Sequence, residues 1–457
     1  MKILRDHSGR AEHSPLALWR EAGTAIRLAV RGRESRVAAI VLSGYQMGLM
    51  ALDNRMRPLT GMTTILDTRP GGTMGTLEPR LRKLGIYRRT GCPPFAQYQL
   101  ARLWWMGRKA PGIIRRSRFL LGVKEFLAWK LCGEVATEPS TASATQMMDI
   151  RKLEWDPTAL GLAGVDRGKL PPICRADRIL GRLLPSASRE TGLPSGLPVI
   201  PGLYDGGALA LGLGALERGA GVINLGTSAM YRTCVDRPVT DKFGMRLQTY
   251  AFLPGLWLAG AGVNNAGVAL DWFMSAFGVR GYRELEKLAH SAHAGGEIPL
   301  MFPYLTGERD SRIGSGARGI LMGLRADHDR GALALAVMEG TGFSLRLIQD
   351  ALGDNGIRVR KIRAGGGGTR INTWVGLIAS ILGKPLAVSP SGQPGLVGGG
   401  ILGFTALGEY PDLLTASRLM VGPATLVPFR KDGRRKARLA RYGKALAHIS
   451  GAGLFSA

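Results

Sequence analysis

The chain has 457 residues, 45% of them hydrophobic, and a formal net charge of +27. That length exceeds a single core and suits two domains of about 200 residues each. Its 66 glycines run through the whole chain, which predicts many tight turns and close backbone approaches rather than a disordered tail.

Taken in chain order, Pro15–Val30 carries apolar residues at helical spacing behind Ser14, a helix cap. Val37–Leu42 reads as a buried strand, and Gly48–Asp53 as a second that turns at Asn54–Arg57. Residues 94–134 read as mostly helical, and Leu153–Trp155–Pro157 marks a loop. Pro198–Gly202 is a strand entering the turn Tyr204-Asp205-Gly206-Gly207, which opens a small-residue helix. Val222–Leu225 is a strand running into Gly226-Thr227-Ser228. Further on, Trp257–Ala261 reads as a strand and Asn264–Phe277 as a helix. Leu333–Leu352 reads as a long amphipathic helix, and Ile362–Ala364 as a strand ending in Gly365–Gly368. Trp374–Leu382 is a helix, Pro385–Val388 a strand and Gly398–Gly408 a glycine-rich helix. Alternating strands and helices predict an α/β fold. The boundary falls near Arg218, giving domains 1–217 and 218–457.

The positive charge is scattered, which fits either an arginine-rich proteome or attraction of an anion such as a nucleotide or an acidic sugar. The densest basic runs, Arg108–Arg118 and Lys431–Lys444, lack interleaved aromatics for stacking bases, so no nucleic-acid partner is expected. The four cysteines, Cys92, Cys132, Cys174 and Cys234, lie too far apart in sequence for a zinc knuckle or redox pair, which predicts reduced thiols and a cytoplasmic protein. No apolar run reaches the roughly 18 residues of a membrane helix, so no membrane partner is expected. His290 and His293 are spaced to share a helix face, but no third ligand stands nearby and no metal site is predicted.

Three motifs carry chemistry. Gly226-Thr227-Ser228, at a strand end, offers backbone N–H groups and two hydroxyls that can cradle phosphate, although many turns share that composition. Gly365–Gly368, followed by Asn372 and Trp374, lets an adenine or ribose approach the backbone, or serves only as a tight turn. Asp205, at a strand's C-terminal end among glycines, can take a proton from a substrate hydroxyl during phosphoryl transfer, or simply belong to a turn.

The order and spacing of these motifs resemble one family across nearly the whole chain, the FGGY carbohydrate kinases, with gluconokinase-like and xylulokinase-like members most similar. The resemblance runs through Leu42-Ser-Gly-Tyr-Gln-Met-Gly-Leu49, Leu66-Asp67-Thr68-Arg69, Tyr87-Arg-Arg-Thr-Gly-Cys-Pro-Pro94, Ser140-Thr-Ala-Ser-Ala-Thr145 and Trp155-Asp156-Pro157. It continues through Asp205-Gly206, Gly226-Thr227-Ser228, Val263-Asn264-Asn265, Gly307-Glu308-Arg309, Ala317-Arg318-Gly319 and Glu339-Gly340. It implies a two-domain actin-like (ribonuclease H-like) fold with an interdomain cleft, sugar held on the first domain and ATP on the second. It further implies Asp205 as catalytic base; Tyr45, Gln46, Met47 and Asp67 at the sugar; and Gly226, Thr227, Ser228, Gly267, Asp271, Gly367, Gly368 and Asn372 at the nucleotide. Mg²⁺ is expected to arrive with ATP rather than in a protein cage. The resemblance leaves a homodimer open.

Two departures qualify the activity expected from the resemblance. Members usually begin with a strand ending in Asp-x-Gly-Thr and a hairpin that binds phosphate, and Met1–Ser14 contains no such motif. A late-called gene start or a fragment, a decayed pseudo-kinase that binds without turnover, and a hairpin supplied by another chain each account for this. The first is preferred because the downstream motifs are intact. The chain as given is accordingly expected to be inactive or weakly active. At the sugar site, Tyr45-Gln46-Met47 stands where the family has Gln-Met-His, and Ile65 replaces a tryptophan. A thioether in place of an imidazole changes which hydroxyls are accepted. The Tyr87–Pro94 and Val263–Asn265 stretches lean toward a gluconate-like acid.

Overall fold

The computed structural model describes residues 2–292, 297–310, 312–314 and 316–455. In the first half, helix Pro15–Val30 starts where Ser14 Oγ accepts the Ala17 N–H at 3.4 Å, with Pro15 in the first turn. Its buried Leu18 and Trp19 join a core beneath a parallel strand pair, Ile40–Gly44 and Pro198–Tyr204. The register of that pair shifts between Ile200 and Leu203, and Tyr204 ends opposite Gly44. Gly202 makes the shift possible: its φ is +62°, and a Cβ there would lie 2.0 Å from the Leu42 carbonyl oxygen. The shift delivers Tyr204 to the end of strand Ile40–Gly44, and helix Asp205–Gly212 begins at the next residue.

The second half is built on a seven-stranded sheet. Its order is Gln248–Leu253, Leu256–Val263, Ala229–Val235, Ala220–Leu225, Lys361–Gly365, Leu386–Val388, Thr425–Val427. The Ala220, Lys361 and Leu386 strands run parallel, and the other pairings are antiparallel. Side chains alternate across it. Ile223, Leu225 and Tyr231 join a helix-covered core with Phe273, Val337 and Trp374. Val222, Asn224, Met230 and Arg232 face the other way, into a cleft against the first half.

Helix Arg330–Asp354 differs from the amphipathic reading of Leu333–Leu352: every residue from Ala336 to Leu345 is buried. It is the one helix among the described residues long and apolar enough to cross a membrane. With 78% of its most apolar window buried inside the protein, it is the core helix of this half. Its Glu339 is reached by Arg435 Nε at 2.9 Å and Arg438 Nε at 2.8 Å from helix Gly433–Gly451, so part of the Lys431–Lys444 basic run serves packing.

Helix Pro394–Ala406 packs back onto Asp205–Gly212 and onto the strands Ile40–Gly44 and Pro198–Tyr204. The two helices meet backbone to backbone: a Cβ at Gly398 would lie 1.9 Å from the Ala208 carbonyl, and one at Gly212 1.8 Å from that of Pro394. The helix carrying Asp205 is thus clamped to the second half through small residues. The four cysteines are free thiols. His290 Nδ1 sits 2.7 Å from the Glu286 carbonyl, and His293 lies outside the described residues.

Candidate active site

Asp205 is the first residue of its helix, and the N-terminal end of the helix dipole favours its charge. Its Oδ1 accepts the Gly206 N–H at 2.7 Å. Its carboxyl presents surface to the cleft while the cleft walls close round it. That enclosure raises its pKa above the ordinary carboxylate value, and the Gly206 N–H and the charges of Arg232, Lys124 and Arg309 pull against the rise. None of the ion pairs among the described residues includes Asp205, which leaves its oxygens free to take a proton.

The cleft encloses a cavity of about 350 Å³. Tyr45, Gln46 and Met47 form one wall on the loop after strand Ile40–Gly44, with Ile65 beside them. Met47 takes a φ of +68°, an unusual conformation for a side chain of this size. Burial pushes the Tyr45 phenol up to about 12, and its hydroxyl and the Gln46 amide nitrogen are both buried without a hydrogen-bond partner. Met230, Arg232, Gln248, Tyr250 and Arg309 form the opposite wall, with Ser228 at its edge.

Asp67 does not line this cleft, contrary to the expectation from sequence. It is 2% exposed, accepts Arg69 Nε at 3.1 Å and lies 3.8 Å from Arg102 Nη1. Its carboxylate is committed to a buried ion cluster behind Tyr45.

Beyond Ser228, three backbone segments converge around Leu225–Thr227. The Gly226–Ser228 loop closes a hairpin, with Gly226 N–H bonded to the Ser228 carbonyl at 3.0 Å. The N–H groups of Gly267 and Val268 reach the carbonyls of Gly226 (2.9 Å) and Thr227 (3.1 Å), so helix Gly267–Ala276 starts against this loop. A Cβ at Gly267 would lie 2.7 Å from the Gly226 carbonyl. Gly366, at φ +96°, approaches Asn224 and Leu225, and a Cβ at Gly368 would meet Trp374 and Leu225. Thr227, Gly367 and Asn372 are exposed around this junction. Asp271 is exposed on helix Gly267–Ala276, where it accepts the Tyr282 hydroxyl at 2.7 Å. Among the described residues no three metal-ligating side chains cluster.

Sequence reasoning missed Arg232, Gln248 and Tyr250. The signal at Arg232 was a lone charge in the largely apolar stretch Ala229–Val235.

A two-domain α/β fold whose cleft sets a carboxylate without an ion-pair partner at a strand-to-helix junction, beside a glycine-rich strand-end loop, has the architecture of a carbohydrate kinase of the actin-like class. Residues 1–212 match the N-terminal domain, and residues 221–407 the C-terminal domain, of the FGGY family of carbohydrate kinases. The chain belongs to that family. It is 29% identical over 426 residues to the gluconokinase of Bacillus subtilis (strain 168), covering 90% of this chain and 82% of that protein. It is 28% identical over 397 residues to the xylulose kinase of Escherichia coli (strain K12), covering 86% and 81%. The ligand-bound xylulose kinase from Lactobacillus acidophilus shares the fold, with a TM-score of 0.92, 24% identity and coverage of 99% of this chain and 91% of that one.

Proposed function

We propose that this carbohydrate kinase transfers the γ-phosphoryl group of ATP to a hydroxyl of a sugar or sugar acid, with Asp205 as general base. The observation that carries the reading is the Asp205 carboxylate, raised in pKa and without an ion-pair partner, facing the cleft between the Tyr45–Met47 wall and the Gly226–Ser228 loop. The sugar is held by Tyr45, Gln46 and Met47. The nucleotide phosphates lie against Gly226, Thr227 and Ser228, and its base and ribose near Gly267, Asp271, Gly367, Gly368 and Asn372. The junction supports this by presenting exposed backbone at Thr227, Gly367 and Asn372 on segments that Gly267, Gly366 and Gly368 let pack closely together. A divalent cation such as Mg²⁺ would come with the nucleotide's phosphates and neutralise their charge. The first domain ends at Glu217 and the second begins at Arg218.

In this scheme Asp205 accepts the proton of the attacking hydroxyl, and alignment in the cleft supplies most of the remaining acceleration. Replacing Asp205→Asn should lower phosphoryl transfer by at least about 100-fold while leaving sugar binding intact. An unchanged rate would refute the base assignment. Sugar binding without turnover by the unaltered protein would favour a binding-only role.

A further inference from the structure

Arg232 is a buried cation with no carboxylate in ion-pair contact among the described residues; the Asp205 carboxylate shares its cleft and feels its charge only through space. It is 5% exposed on strand Ala229–Val235 and lines the cleft together with Asp205. One Nη1 hydrogen bond goes to the Tyr204 hydroxyl. The guanidinium carbon lies 5.3 Å from the centre of the Tyr204 ring and 4.8 Å from that of Tyr250. Its Nε is buried with no hydrogen-bond partner, and none of the ion pairs among the described residues includes it.

Burying a guanidinium costs solvation that a carboxylate partner ordinarily offsets. Here the groups in direct contact with it are two phenols. Burial raises both, Tyr204 to about 12, so they stay neutral and offer no countercharge. They do fix the orientation of the group, because two aromatic faces and one hydroxyl hold it in place. The residue stands in the cleft wall opposite Tyr45, Gln46 and Met47, the residues proposed to hold the sugar. A rigid guanidinium with a free edge suits a planar carboxylate better than a hydroxyl.

We infer that Arg232 binds the carboxylate of the acceptor, so that the substrate is a sugar acid rather than a neutral sugar. The inference rests on the kinase reading for the place of the sugar, and it deepens that reading by naming the substrate class. The strand opposite shows how the site is accommodated: Arg232 and Gln248 both register against Gly260, where a Cβ would lie 2.0 Å from the Tyr231 carbonyl.

The test is equilibrium binding by titration calorimetry, with no nucleotide present, of four- to six-carbon aldonates against the alditols of the same length and configuration. The whole protein is expected to bind one aldonate roughly 10- to 100-fold more tightly than its alditol. Arg232→Met should lose that preference while keeping alditol affinity within about twofold, and Arg232→Lys should retain part of it. Equal or tighter alditol binding by the unaltered protein, failure of every aldonate to bind, or a preference that survives in R232M would each overturn the assignment. Comparing the two ligand classes on the unaltered protein decides the matter even where R232M does not fold. Asp205→Asn separates the two readings: it should keep the aldonate preference whatever happens to turnover.

Discussion

Lys124 Nζ lies 2.8 Å from Glu138 Oε1, and both side chains are almost fully enclosed behind the strand end that carries Asp205. Glu138 also accepts the Ser140 hydroxyl at 2.9 Å and the Ser140 N–H at 2.7 Å, and Ser140 Oγ in turn accepts the Tyr204 N–H at 3.3 Å. A buried ion pair therefore fixes the residue before the proposed base. Lys124→Met would strand the Glu138 carboxylate, and a loss of about 3–5 kcal/mol is expected in urea unfolding. A loss below about 1 kcal/mol would mean that the pair does not anchor this strand.

The raised carboxyl of Asp205 sets a pH dependence. The proposed base acts in its ionised form, so kcat/KM should fall on the acid side, with a midpoint above the ordinary aspartate range of about 4. Arg232 favours the ionised form, so R232M should move that midpoint upward. Because enclosure disfavours the charged group in the folded state, Asp205→Asn should raise the melting temperature at neutral pH. A midpoint at the ordinary aspartate value would count against the enclosed base.

Glu308 gives a stability signature. Burial pushes its carboxyl up to about 7, although it accepts N–H groups from Asn264 at 3.0 Å and Arg309 at 2.8 Å. Between about pH 4.5 and 7 the folded state holds a proton that the unfolded state has lost, so this group's stabilising contribution is full at low pH and disappears as pH rises through 7. Relative to the unaltered protein, Glu308→Gln should gain on the order of 2–3 kcal/mol between pH 4.5 and pH 8, measured by denaturant unfolding at both. A pH-independent difference would place the Glu308 pKa near its ordinary value.

Two neighbouring glycines should respond differently to alanine. At Gly366, with φ +96°, a Cβ would lie 2.4 Å from Asn224 Oδ1 and 2.5 Å from the Leu225 carbonyl, so Gly366→Ala should cost about 1–3 kcal/mol of stability. At Gly367 no atom stands within 4 Å of the added Cβ. Gly367→Ala should leave the melting temperature unchanged and weaken ATP binding, as read by nucleotide titration. Unchanged ATP affinity would remove Gly367 from the nucleotide site.

Much of this was legible in the chain itself. Ser14 and Pro15 mark a helix start, Gly226-Thr227-Ser228 a strand-end turn, and Asp205 a strand-to-helix junction, because capping, turn conformation and apolar periodicity act over a few residues. The collinear motif series likewise placed the chain in its family. The strands Ala229–Val235 and Gln248–Leu253 were not read from sequence, because they are buried on both faces and show no alternation. The same enclosure hid the character of helix Arg330–Asp354, which looked amphipathic and proved to be core.

What only the tertiary structure decided is which side chains share the cleft. Sequence position suggested Asp67 as a sugar contact, but folding commits its carboxylate to Arg69 and Arg102. Arg232, 27 residues beyond Asp205 in a different half of the molecule, stands in the same cavity, with Tyr204 and Tyr250 against its face. Local spacing determined the turns that place backbone N–H groups and a carboxylate at strand ends. The pairing of charges was settled by burial, because a charge removed from water takes whatever partner the packed core brings near it, and no short-range pattern records that choice.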